Sequence, residues 1–118
     1  MIDFDDVPVY LACGATDLRK QINGLSVLVS SVFELDPFFP ALFCFCNKNK
    51  NRMKILTFDV DGFVLAFKRL EKGRFLWPGE AEHESVMALD IGEFRQLLST
   101  TRLTRKIVRD EVTERTVT

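Results

Sequence analysis

Short apolar runs separated by polar breaks fill the centre of the chain, residues 42–78. Four runs, 42–46, 52–58, 63–70 and 75–77, are rich in β-branched and aromatic residues. The breaks between them consist mostly of Asn, Asp, Lys and Gly. This composition and spacing is typical of strands joined by hairpin turns. We therefore predict an antiparallel β-meander across this stretch.

The break at residues 59–62 predicts the register of the central hairpin. Asp59 at its start and Gly62 at its end suit a type I turn followed by a left-handed residue, a conformation that glycine adopts without steric cost. The predicted partners are then Asp59 with Phe63, Thr57 with Leu65, Ile55 with Phe67 and Lys54 with Lys68. In that register one face carries Met53, Ile55, Phe63, Leu65 and Phe67, and the other carries Arg52, Lys54, Lys68, Leu56, Phe58, Val64 and Ala66.

A segment before the meander repeats apolar residues at helical spacing. Its apolar stripe consists of Leu18, Ile22, Leu25, Val29 and Val32. Thr16 would cap the N-terminus of this helix, Asp17 would complement its dipole, and Pro37 would follow its end. Arg19 and Lys20 would then project from the first turn, away from the stripe.

A second helical segment follows Asp90, which forms a capping-box pattern with Glu93. Its apolar face consists of Ile91, Phe94, Leu97 and Leu98. The apolar runs 7–12 and 86–89 predict two more strands, the first with Pro8 at its start or at a sheet edge. This order predicts an α+β fold, in which an antiparallel β-meander of about five or six strands carries an N-terminal and a C-terminal helix packed on the sheet.

Length and composition set the class of protein. The 118 residues, 47% of them hydrophobic, fit one domain with a single core. We predict a single α+β domain over residues 1–101 and a charged C-terminal tail over 102–118, partly ordered or disordered. No apolar run reaches the roughly 20 residues of a membrane span, and the N-terminus is acidic where a signal peptide would be basic. The three cysteines lack a framework spacing and fit a reducing compartment, so we expect a cytoplasmic protein with no membrane partner.

Charge is distributed unevenly along the chain. Residues 42–78 hold eight basic and three acidic residues, a net charge of +5, whereas residues 1–41 sum to −4 and residues 79–118 to −2. The total of −1 therefore hides a strongly polarised molecule, and this polarity indicates more about partners than the total does.

The meander predicts where the basic residues meet. Alternate turns of a meander lie at the same end of the sheet, so the loop 47–51 and the turn 71–74 should be neighbours. The candidate DNA-binding residues collected there are Lys48, Lys50, Arg52, Lys54, Lys68, Arg69, Lys72, Arg74 and Trp77. Cations with aromatics close behind them suit a phosphate backbone and stacked bases. An acidic protein partner, or a solvated surface whose lysines protect strand edges, are the alternatives.

Cysteine and histidine chemistry has few residues to work with. Cys44 and Cys46 share one face of a predicted strand, and only Cys13 and His83 could complete a metal site. Small buried hydrophobes are the better interpretation of the pair. The single histidine has no evident orienting partner, so we expect no metal site and no catalysis there.

Acidic residues of the meander offer a second alternative, a magnesium-dependent nuclease. Glu71 lies about 25 Å from Asp59 and Asp61 along an extended strand. The two aspartates also have a sufficient role as turn formers. We therefore predict a protein that is not an enzyme, with no catalytic residues and no cofactor.

Three blocks of the sequence carry a family resemblance. The first is TDLRKQINGL at 16–25; the second is an F-x-F strand at 43–45 with an Asn-rich loop that ends in R-x-K at 52–54; the third is KRLEKGRFLWP at 68–78, preceded by Asp59, Gly62 and Leu65. Together these blocks resemble the small accessory protein of bacterial insertion sequence 66 family elements, the TnpB product of their second open reading frame. Phe58, Gln21 and Asn23 depart from that pattern, which usually has Trp, Gly and Asp there.

The resemblance implies a protein encoded beside a larger acid-triad transposase and needed for efficient DNA transposition, without strand cleavage of its own. Its expected partners are DNA, as transposon ends or target, and the transposase of the same element; self-association is left open. Our first hypothesis is non-enzymatic DNA binding through the basic residues. The second is a protein adaptor that docks the transposase, either through the basic residues against an acidic surface or through the neighbourhood of Trp77 and Phe38–Phe39. The third is a magnesium-dependent nuclease that uses Asp59.

Overall fold

The computed structural model of the chain describes residues 6–79 and 84–99. Its elements in chain order are β1 (Val9–Ala12), α1 (Ile22–Ser31), β2 (Leu42–Cys46), β3 (Arg52–Asp59), β4 (Gly62–Arg69), β5 (Val86–Leu89) and α2 (Ile91–Ser99). The five strands form one sheet in the order β4-β3-β2-β1-β5. The predicted α+β class, a mostly antiparallel sheet with an N-terminal and a C-terminal helix, is confirmed. The predicted tail at 102–118 and His83 lie outside the described residues.

The meander is shorter than predicted. Only β2, β3 and β4 follow one another as antiparallel neighbours. β1 lies parallel to β2, with α1 as the crossover that a parallel pair requires, and β5 pairs antiparallel with β1. Residues 75–77, predicted as a strand, are not in the sheet, although Phe75 and Trp77 still place their side chains in its core.

One helix covers each face of the sheet. On the first face, which we call the α1 face, the fully buried Leu25 and Val29 pack against strand residues such as Phe43. On the opposite α2 face, Phe94 packs with Phe75 and Trp77 over the strands. Fully burying an aliphatic or aromatic side chain stabilises a fold by about 1.5–3 kcal/mol, so each layer contributes substantially.

The hairpin between β3 and β4 is one residue out of the predicted register. Asp59 pairs with Gly62, so the loop consists of Val60 and Asp61 alone. The positive φ that we expected at Gly62 is at Val60, with φ 56°. A β-branched residue rarely adopts that conformation, and two-residue hairpin loops usually have Gly, Asn or Asp there. The residue type at position 60 therefore did not indicate a two-residue loop.

Because side chains alternate along a strand, the shift by one residue moves every side chain of β4 to the opposite face relative to β3. The predicted face with Met53, Ile55, Phe63, Leu65 and Phe67 together is wrong. Met53 and Ile55 lie on the α2 face with Ala66, whereas Leu56, Phe63 and Leu65 belong to the core of the α1 face. Alternation from Leu65 places Phe67 on the α1 face as well, opposite Lys54.

Helix α1 starts later than predicted because a long-range contact replaces the local cap. The Thr16 N–H donates to the Cys46 carbonyl (2.8 Å), which holds this residue at the end of β2. Residues 17–20 then form a turn, in which the Lys20 N–H donates to the Asp17 carbonyl (3.3 Å). The N-cap is Gln21, which makes no side-chain cap bond.

Helix α2 follows the local prediction. The Asp90 N–H donates to Glu93 Oε1 (2.9 Å), and the Glu93 N–H donates to Asp90 Oδ1 (2.7 Å), so the capping box is confirmed. Neither of the two helices that the structure describes is long and apolar enough to cross a membrane.

Candidate nucleic-acid interface

The loop 47–51 and the turn 71–74 lie side by side, as strand pairing predicts. The Phe75 N–H donates to the Lys50 carbonyl (2.7 Å), and the Leu70 N–H donates to the Asn51 carbonyl (2.8 Å). The Asn47 side chain fixes the first loop, because its Oδ1 accepts the Asn51 and Arg52 N–H groups, both at 3.0 Å. The two hydrogen-bonded connections therefore form one surface.

Exposed cations cover this surface, which we call the basic end. Its members are Lys48, Lys50, Arg52, Lys68, Arg69, Lys72 and Arg74. Arg69 is paired, since its Nε donates to Glu71 Oε2 at 2.8 Å. Among residues 6–79 and 84–99, no carboxylate lies within ion-pairing distance of Lys48, Lys50, Arg52, Lys68 or Arg74. Most of the positive charge is thus not neutralised by the described part of the chain.

Lys54, one of the candidate DNA-binding residues, is a structural residue in this fold. It is only 8% exposed. Its Nζ donates to the Lys20 carbonyl (2.9 Å) and to Gln21 Oε1 (3.4 Å). The ammonium group therefore fastens the segment before α1 to β3, and it is less accessible to DNA than its neighbour Arg52.

Trp77 is also placed differently from the expectation that it would assist DNA binding. The side chain is 4% exposed, and its Nε1 donates to the Ala12 carbonyl at 2.8 Å. Its ring packs edge-on against Phe75, with 6.5 Å between centroids. A base cannot stack on a ring enclosed in this way, so Trp77 serves the core of the α2 face.

Arg19, which we expected to project from a helical first turn away from the apolar stripe, lies beside the basic end instead. The bond from Lys54 to the Lys20 carbonyl brings the turn 17–20 against the end of β3. In this turn the Arg19 Nη2 lies 2.7 Å from Asp17 Oδ2, and the Arg19 guanidinium holds the pKa of Asp17 well below its usual range. The only feature of the sequence that singles out Arg19 is the TDLRK block of the family resemblance. The helical first turn predicted for this segment would have placed the Arg19 side chain elsewhere.

A groove of about 640 Å³ lies on the α1 face between this turn and the end of the hairpin. Arg19, Gln21 and Arg52 line it, together with the apolar Leu65 and Phe67. Phe67 is 55% exposed, which is unusual for an aromatic residue of a sheet. The basic end thus has an accessible ring, although not the one that sequence reasoning selected.

The cysteines of β2 have no reactive environment. Cys44 and Cys46 are fully buried and not joined in a disulfide. Burial raises the pKa of Cys46 to about 11 and that of Cys44 well above its usual value, so both thiols stay protonated near neutral pH. Within the described ranges, no three His, Cys, Asp or Glu residues are grouped in a way that could hold a metal ion.

The opposite end of the hairpin, which we call the acidic tip, has a different character. Its exposed acids are Glu34, Asp36, Asp59 and Asp61. Phe38 lies among them, with its ring centroid 5.0 Å from that of Phe58 and 5.2 Å from that of Phe63. Phe38 nevertheless remains 57% exposed, and Phe39 and Val60 are exposed beside it. Asp59 precedes the hairpin loop and Asp61 lies in it, at the far end of β4 from Glu71.

Comparison with known proteins gives a consistent family signal. The family model described as IS66 Orf2 like protein matches residues 7–107. The uncharacterized protein y4hO of Sinorhizobium fredii is 33% identical over 94 residues, which cover 80% of each chain. A second uncharacterized protein of the same organism, y4jC, is 32% identical over 104 residues, 86% of this chain and 87% of its own. No solved structure matches the chain.

Proposed function

Because the chain belongs to the IS66 Orf2-like family of transposon-associated accessory proteins, we propose that it supports transposition by holding DNA non-enzymatically at its basic end. The observation that carries this proposal is the hydrogen-bonded union of the loop 47–51 with the turn 71–74, which concentrates cations at one end of the sheet. A polyanion is the partner that such a concentration favours.

The cations surround the end of the hairpin rather than lying on one flat surface. Arg52 and Arg69 are paired across the strands and project toward the α1 face. Lys68 is one residue away and projects toward the α2 face, where Lys50 and Arg74 border a second groove. This arrangement suits contact with phosphates along a backbone, because the cations lie on both faces of the hairpin end.

Binding through such side chains should be steep in salt and weakly selective for sequence. Each phosphate neutralised by a lysine or arginine releases condensed counterions, so affinity falls as salt rises. Phosphate contacts fix position but carry no direct information on bases. Sequence selectivity of the whole transposition complex would then depend on another component, such as the transposase of the same element.

The test is a fluorescence anisotropy titration with labelled duplex DNA across a range of salt concentrations. The variant replaces Lys48, Arg52, Lys68 and Arg74 by Gln, four cations without a described ion pair. A matched control replaces Arg102, Arg105, Lys106 and Arg109 by Gln, which removes the same charge from the predicted tail.

We expect the basic-end variant to bind about 100-fold more weakly near 0.1 M salt, with a salt dependence shallower by about three to four phosphate contacts. The control should keep both the affinity and the slope within about twofold. Unchanged binding by the basic-end variant, or an equal loss in the control, would contradict the proposal.

The acidic tip favours a second candidate function, an adaptor that docks the transposase. Exposed aromatic residues such as Phe38 and Phe39 are typical centres of protein interfaces. The surrounding acids favour a cationic partner surface. In a pull-down with the transposase in the presence of nuclease, an adaptor retains the transposase, and a Phe39→Ser/Val60→Ser variant loses it. Association that disappears with nuclease would instead show bridging by DNA.

A further inference from the structure

The groove on the α1 face differs from the rest of the basic end because it combines charge with an accessible ring. Phe67 is 55% exposed, and no other aromatic ring within the described ranges stacks against it. Phe38 has similar exposure but packs against Phe58 and Phe63. Phe67 therefore presents an unstacked aromatic surface beside cations.

Hydrogen-bonding groups of different kinds surround this ring. Arg52 lines the same groove and lies two positions along β3 from Lys54, which is paired with Phe67. Gln21 borders the other side, and its Oε1 is held by Lys54 Nζ at 3.4 Å, which leaves the amide nitrogen to donate. Arg19 and Asp17 also line the groove, but they form an ion pair with 2.7 Å between Arg19 Nη2 and Asp17 Oδ2, so the exposed cation of the groove that has no ion pair with a described residue is Arg52.

The size and lining of the groove restrict its ligand. A groove of about 640 Å³ that is open to solvent can hold a small organic group against one wall without enclosing it. Leu18, Leu65 and Phe67 give an apolar floor, and the polar groups lie at the rim. A flat ring with apolar faces suits the apolar floor, and an attached phosphate suits the cationic rim. In DNA the unit that combines the two is a nucleotide.

We propose that this groove binds an unpaired nucleotide of single-stranded DNA, with the base stacked on Phe67 and the adjacent phosphate on Arg52. This assignment rests on the DNA binding proposed above and specifies the form of DNA. A base in a duplex has both faces stacked on its neighbours, so only an unpaired base offers a face to Phe67. Arg52 then contacts phosphate in either form of DNA, whereas Phe67 contacts only the unpaired one.

The test compares a labelled thymidine oligomer with a labelled duplex, by anisotropy at fixed salt. Phe67→Ala removes the ring, and Phe67→Trp enlarges it. The matched control is Phe39→Ala, which removes an aromatic of similar exposure, 49%, at the acidic tip. Circular dichroism of each variant checks that the fold is retained.

We expect Phe67→Ala to weaken binding of the oligomer by about 5- to 150-fold, the range for loss of one base–aromatic stack, while duplex binding changes by less than about twofold. Phe67→Trp should keep or increase affinity for the oligomer, and Phe39→Ala should change neither. If Phe67→Ala leaves the oligomer affinity unchanged, or lowers both affinities equally, the nucleotide site is wrong while DNA binding at the basic end stands. If the unaltered protein binds neither DNA, both proposals fail.

Discussion

The basic end and the acidic tip are two ends of one hairpin, and they present opposite chemistry. β3 and β4 run eight residues each between them, a separation of about 23 Å at the usual rise of a strand. This exceeds the Debye length of about 8 Å at physiological ionic strength. A charged partner at one end is therefore largely screened from the other, and each end can be considered as a separate surface.

The two ends also use aromatic residues differently. At the acidic tip, Phe38, Phe58 and Phe63 pack against one another, with centroids 5.0 to 5.2 Å apart. At the basic end, Trp77 is enclosed in the core and Phe67 is exposed and unstacked. Near-neutral composition, with a net charge of −1, thus conceals two surfaces for which the favourable partners have opposite charge.

The largest expected effect tests whether Trp77 belongs to the core rather than to the DNA-binding surface. Trp77→Ala should lower the free energy of unfolding by about 3–5 kcal/mol, because it leaves a cavity and an unsatisfied Ala12 carbonyl. Phe39→Ala at the other end should cost less than about 1 kcal/mol. Urea unfolding followed by circular dichroism measures both. A Trp77→Ala protein that keeps its stability but loses DNA binding would restore the original assignment of this residue.

Trp77 also illustrates where sequence reasoning succeeds and fails. Local signals predicted correctly: the Asp90–Glu93 capping box forms as expected, and the loops 47–51 and 71–74 meet. Both depend on residues within a few positions or on simple strand pairing. The burial of Trp77 depends on a bond to Ala12, which is 65 residues away in the chain, and no local pattern contains that information.

Two other departures concern the start of α1 and the register of the hairpin. Thr16 has the composition of a helix cap, but its N–H bonds to Cys46 and the helix starts at Ile22. The hairpin slips by one residue because Val60 accepts a conformation that its side chain disfavours. That shift moves the side chains of β4 to the opposite face relative to β3. For this reason the predicted register did not place Phe67 on the same face as Arg52 and Lys54.

The next effect separates structural from available cations at the basic end. Lys54→Met should reduce the free energy of unfolding by about 1–2 kcal/mol, because the Lys20 carbonyl loses a charged donor. Arg52 is exposed and lies two residues before Lys54 on the same face of β3, so Arg52→Met should change the free energy of unfolding by less than about 0.5 kcal/mol. For DNA affinity we expect the opposite order, with a larger loss in Arg52→Met than in Lys54→Met. Urea unfolding and anisotropy on the two variants give the comparison, and a greater loss of DNA affinity in Lys54→Met would contradict it.

A smaller effect lies at the acidic tip, where the hairpin turn contains the strained residue. Val60→Gly should stabilise the protein by about 0.5–1 kcal/mol, because glycine adopts the φ of 56° without steric cost. Gly62→Ala is the matched control: its φ is not positive and no atom lies within 4 Å of the added Cβ, so little change is expected. In the turn predicted from the sequence, Gly62 would have the positive φ, so Gly62→Ala would destabilise the protein and Val60→Gly would not stabilise it. Thermal unfolding of the two variants distinguishes the two turns.

The smallest effect concerns the ion pair at the rim of the groove. Hydrogen bonds from Arg19 hold the pKa of Asp17 well below its ordinary 3.8. A carboxyl whose pKa is lower in the folded state contributes stability that is present above its unfolded value and is lost as pH falls toward the folded one. The stability of the unaltered protein should therefore fall relative to Asp17→Asn as pH drops below about 4. The difference should be small and should shrink in high salt, since both side chains are exposed. Urea midpoints of the two proteins between neutral and acidic pH measure it, and a difference that is constant across that range would show that the pair does not hold the turn 17–20.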